Sequence, residues 1–102
     1  MKIIALEREL SKATPDLFQL FAIEEAQTAW DLYQVGAIRE LYFRADQPMA
    51  VLILEAATIE EARKLLDSLP FVREGLIQFD LIPLKAYSGF SRLFGHSPKD
   101  EQ

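Results

Sequence analysis

The run Leu69-Pro70-Phe71-Val72-Arg73-Glu74-Gly75-Leu76-Ile77-Gln78-Phe79-Asp80-Leu81-Ile82-Pro83-Leu84 reads as a helix end, a proline-fixed corner and a strand. Pro70 disfavours helical backbone at Leu69, so the helix before it stops there. A strand follows from about Leu76 to Leu84. Its alternation turns Phe79 and Leu81 to one side and Gln78, Asp80 and Ile82 to the other.

Working backwards, Thr58-Ile59-Glu60-Glu61 is a capping box that opens the helix before this corner. Ile59, Ala62, Leu65, Leu66 and Leu69 form one apolar stripe on it, and Glu60 with Lys64 forms a supporting pair on the wet face. Ile38 to Arg44 and Met49 to Glu55 read as strands joined by the turn residues Asp46-Gln47-Pro48, which makes a hairpin. The second of these is apolar on both faces and is expected to be central and covered on both sides. Near the start, Ile3 to Glu9 is a strand. Thr14-Pro15-Asp16 then opens a helix that runs to about Val35 and stops at Gly36. Phe18, Ala22, Ala26, Ala29, Trp30 and Tyr33 share a face of that helix. The alanines suggest close approach to a sheet, and Trp30 and Tyr33 read as core.

The order is β-α-β-β-α-β, an α+β ferredoxin-like sandwich on an antiparallel four-stranded sheet. Its helices cover one sheet face. The other face, with Ile3, Ile38, Tyr42, Val51 or Leu52, and Ile82, remains apolar and calls for a partner sheet. Two such sheets face to face make a dimeric α+β barrel. One domain spans 1–95 and includes a C-terminal segment whose Tyr87, Phe90, Leu93 and Phe94 must dock on something. A polar, frayed tail covers 96–102.

Composition narrows the function classes. The chain has 102 residues, 50% of them hydrophobic, and a net charge of −5. That charge, with no basic stripe, argues against a nucleic-acid partner. Cysteine is absent, which removes disulfides, thiolate metal sites and a cysteine nucleophile. No metal-ligand spacing, glycine-rich phosphate loop or nucleophile elbow is found, and no cofactor is expected. The N-terminus is too short and too soon acidic for a signal peptide, and no run reaches the roughly 18 apolar residues that read as a membrane span. No membrane partner is expected, and the cytoplasm is the default location.

Two segments carry a resemblance. Leu69-Pro70-Phe71-Val72 before the last strand, and Gly36-Ala37-Ile38-Arg39-Glu40-Leu41-Tyr42 at the second, resemble the muconolactone isomerase family of the dimeric α+β barrel superfamily. The likeness runs from Gly36 to Leu84 and more loosely over the first strand and helix. It implies a homodimer or larger homo-oligomer, no metal, and proton transfer on an unsaturated lactone or small organic acid. Where that isomerase has a histidine in its second strand, this chain has Glu40. The only histidine here, His96, lies in the tail.

Alternation places Glu7, Glu9, Glu40, Tyr42, Arg44, Gln78 and Asp80 on the barrel side of the sheet. A carboxylate in such a barrel has a raised pKa and can move protons near neutral pH. Glu40 and Asp80, near strand centres, are the candidate catalytic acids. Tyr42, Arg44, Gln78 and Glu7 are the candidate substrate contacts, with Arg44 able to hold a carboxylate through two hydrogen bonds. The expected function is that of a cofactor-free isomerase. The alternative is a non-catalytic dimeric module that binds a small ligand or serves assembly.

Overall fold

Pro70 does end the helix before it, and it also starts the next one. In the computed structural model, which describes residues 1–95, Leu69 is extended at φ −68° and ψ 128°. Pro70 then occupies the first turn of a short helix that the sequence reading treats as a plain corner. Gly75, at φ +74°, turns the chain out of it into the last strand. The elements in order are β1 (Lys2–Glu9), α1 (Pro15–Gln34), β2 (Ile38–Phe43), β3 (Ala50–Glu55), α2 (Ile59–Asp67), α3 (Pro70–Arg73) and β4 (Ile77–Pro83), followed by a 3₁₀ turn at Gly89–Phe94. The expected tail at 96–102 and His96 lie outside the described residues.

The molecule is α+β. Its four strands form one antiparallel sheet in the order β2-β3-β1-β4, compatible with a ferredoxin-like plan. Local signals act as the sequence predicts. Thr14 accepts a hydrogen bond from the Leu17 amide at the start of α1, and Thr58 accepts one from the Glu61 amide at the start of α2. Glu61 reaches back to the Ala57 amide at 3.1 Å and completes the box.

Cross-strand register decides which residues share a face. Ile3 pairs with Leu54, Ala5 with Leu52 and Leu81, Glu7 with Phe79, and Glu9 with Ile77. Ile3, Ala5, Leu52, Leu54, Ile77 and Phe79 are buried beneath the helices. Glu7 and Glu9 therefore sit on the helix side, opposite to the sequence reading, and so does Ile3. Ile38 differs for another reason. A register shift between Ile38 and Glu40 puts Ile38 opposite Leu54 while Glu40 lies opposite Ile53. An extra residue at such a bulge reverses side-chain parity, so Ile38 is buried and Glu40 is not.

β3 is central, as expected, but covered on one side only: Leu52 and Leu54 are buried, while Val51 and Ile53 are half-buried. The core lies under α2 and α3, where Leu66, Leu69, Pro70 and Leu76 close on Ile3, Leu54 and Ile77. α1 contributes no fully buried residue. Leu17, Phe18, Phe21, Ala29 and Leu32 lean on the core, with Phe18 edge-on to Phe71 at a ring separation of 5.0 Å. Trp30 and Tyr33 are 56% and 44% exposed, so they are surface residues and not core.

Candidate functional site

The space between α1 and the sheet is a cavity of about 390 Å³. Three alanines explain it. Ala22, Ala26 and Ala29 point toward the sheet but are too short to fill the gap, so they leave a hollow where close packing was expected. Leu41, Leu52, Phe71 and Phe79 complete the apolar walls. Phe43 stands at the rim, 79% exposed.

Two carboxylates enter this cavity, Glu7 from β1 and Glu25 from α1. One oxygen of Glu7 accepts a hydrogen bond from the Ala50 amide at 3.0 Å. One oxygen of Glu25 accepts from the Phe71 amide at 2.8 Å. Both groups are partly buried, and desolvation is the main reason their pKa values are raised. The amide hydrogen bonds favour the anion and offset part of the rise. The negative charge of Glu9 adds to the rise at Glu7, and that of Glu7 adds to it at Glu25. Arg73 draws the Glu25 value slightly down, but its guanidinium is engaged by Glu24 and Glu74, each at 2.9 Å. Among the described lining residues there is no lysine, arginine or histidine. Such a pair holds a proton more readily than free carboxylates do, which suits one member to act as acid and the other as base.

The residues singled out from the sequence fall in three places. Glu40, Tyr42, Gln78 and Asp80 share the uncovered sheet face. Tyr42 donates to Glu40 at 2.6 Å, and that hydrogen bond, followed by the Glu40 charge, pushes the Tyr42 pKa up. Asp80 pairs with Arg8 at 3.2 Å. Tyr42, Val51, Leu6 and Asp80 form one line across all four strands. Three strand spacings of roughly 4.8 Å put Tyr42 and Asp80 about 14 Å apart, so one chain does not bring them to the same small ligand. Arg44 lies beyond β2 and holds Asp46 with two hydrogen bonds, at 2.9 and 2.7 Å. Of the six, Glu7 and Tyr42 line the cavity, Tyr42 from the edge strand β2.

Glu25 escaped the sequence reading, although a signal was present. It is the charged member of the packed row Leu17, Phe21, Glu25, Thr28 and Leu32, spaced for one helix face. Among the described residues, no group of three or more His, Cys, Asp or Glu side chains is arranged to hold a metal ion. No described helix is long and apolar enough to cross a membrane. No family model matches the chain, and a search of curated proteins finds no match.

Proposed function

We propose that this chain admits a small, largely apolar organic molecule to the cavity between α1 and the sheet, and that Glu7 and Glu25 exchange a proton with it. The observation that carries this reading is the pair of partly buried carboxylates facing one apolar hollow with no cation among its described lining residues. The ionised member removes a proton from carbon beside a carbonyl. The protonated member supplies a proton at the other end of the conjugated system. A double bond moves and the proton count is unchanged, which is isomerisation. An anionic substrate would meet two acids and no counter-charge, so a neutral unsaturated lactone fits this site better than a free organic acid.

A set of unsaturated lactones incubated in D₂O and followed by proton NMR tests the reading. Deuterium should enter at carbon with the native protein. Exchange should fall roughly 10²- to 10⁴-fold in Glu7→Gln or Glu25→Gln, the usual weight of a general acid or base. Unchanged exchange in both variants removes these residues from the chemistry. A second reading is a binding module without turnover, favoured by the exposed rim at Phe43. It predicts that lactones raise the melting temperature while no deuterium enters.

The strand order and the uncovered sheet face support a ferredoxin-like chain that pairs sheet to sheet with a copy of itself. Ile4, Leu6, Val51, Ile53 and Ile82 form the apolar middle of that face, and Arg8, Asp80, Glu40 and Tyr42 stand around them.

A further inference from the structure

We propose that the C-terminal arm, residues 84–94, docks on the outer face of α1 in a second copy of this chain. This goes beyond the cavity reading and does not depend on it.

The arm leaves the sheet after the Leu84 amide, which donates to the Lys2 carbonyl at 2.9 Å, and its large apolar side chains stay exposed. Tyr87, Phe90, Leu93 and Phe94 are 66–76% exposed. The molecule measures 58 × 29 × 20 Å with a radius of gyration of 16.8 Å, against about 13 Å for a compact chain near 100 residues. The arm is nonetheless shaped. Ser91 binds back to the Ser88 carbonyl through its amide and its hydroxyl. The Tyr87 and Phe90 rings meet edge to face at 4.9 Å. A preformed aromatic knob in water is unfavourable unless something covers it.

The outer face of α1 offers a matching surface. Leu20, Ile23 and Trp30 recur at helical spacing and are 70%, 86% and 56% exposed. Charge selects this surface. Between 84 and 95 the chain carries Lys85 and Arg92 and no acid, whereas α1 carries Asp16, Glu24, Glu25 and Asp31 and no lysine or arginine. Glu25 turns into the cavity and Glu24 is held by Arg73. Asp31 lies in the last turns of α1, where the helix dipole is also negative; Gln27 donates to it at 3.0 Å, and the last turn of the helix carries no basic residue. Arg92 and Lys85 supply the positive charge. Each copy owns both an arm and a receiving face, so a two-fold arrangement satisfies both arms at once. Each aromatic buries roughly 150–250 Å², so two exchanged arms reach the scale of a standard interface, roughly 1,600 Å².

The chain contains a single tryptophan, Trp30, and no cysteine, so both probes are free of background. On dilution from high micromolar to nanomolar, Trp30 emission should move to longer wavelength as the arm leaves. In the double variant Phe90→Ser with Phe94→Ser, emission should stay at the long-wavelength limit at every concentration while the circular dichroism is unchanged. Arg92→Ala should weaken association roughly twofold to fivefold, the weight of one exposed ion pair. Separately, Gln27→Cys mixed with Ser88→Cys under oxidising conditions should yield a mixed covalent dimer, and Lys64→Cys mixed with Ser88→Cys should not. Emission that ignores concentration overturns the proposal. So does a concentration dependence that survives loss of Phe90 and Phe94, or failure of the first cysteine pair to cross-link.

Discussion

Glu25 stands where α1 turns toward the sheet, and Glu7 stands opposite on β1. A carboxyl whose pKa is higher in the folded than in the unfolded chain binds its proton more tightly when folded. Its contribution to stability is complete below the unfolded value of 4.5 and is lost as the pH rises through the folded value. Glutamine at this position still accepts from the Phe71 amide but does not ionise. Urea denaturation of Glu25→Gln and the native protein across the acid-to-neutral range should therefore show the difference in unfolding free energy moving toward the variant as pH rises, then levelling off. A flat difference would mean that burial does not govern Glu25. The presence of these acids was plain in the sequence, but their place on one cavity was not. Helical spacing puts Glu25 on the packed row, yet only the pairing of Glu7 with Phe79 shows that β1 turns its acid to the same side.

Among the elements, α2 was the most legible. Its stripe, its capping box and its stop at Pro70 agree, and its Ala62 and Leu66 are buried. Thr58→Ala should cost about 1 kcal/mol by leaving the Glu61 amide without its cap. Leu66→Ala should cost about 2–5 kcal/mol through the void it opens. Leu20→Ala on α1, which removes an exposed side chain, should stay within about 0.5 kcal/mol in dilute solution. Chemical denaturation of the three variants checks this ranking. α1 was harder to read because it is apolar on more than one face, and periodicity alone does not say which face meets the sheet. β2 misled for a sharper reason. The bulge between Ile38 and Glu40 breaks the two-residue alternation, and nothing in the hydrophobic pattern marks it.

At the scale of the whole molecule, two apolar surfaces lie on opposite sides of the sheet plan. The uncovered sheet face is expected to pair with a second sheet, and α1 is expected to receive an arm. Val51→Lys, placed in the middle of the sheet face, should lower the association order seen by sedimentation without altering the Trp30 response to dilution. An unchanged sedimentation profile would remove the sheet face as an interface. The two contacts are separable because they use different elements, β1 to β4 for one and α1 with residues 84–94 for the other.

The sequence by itself determined the order of the four strands and of α1 and α2, the two threonine caps, and the stops at Gly36 and Pro70. Each rests on forces acting within a few residues: backbone sterics, orphan amides at helix ends and the period of apolar side chains. The tertiary structure alone decided which sheet face the helices cover, that Glu7 and Glu25 line one cavity, and that three alanines leave a hollow and not a tight contact. Those outcomes depend on strand register and on the volumes of side chains from distant segments. A one-residue change in pairing turns every side chain of a strand to the other face.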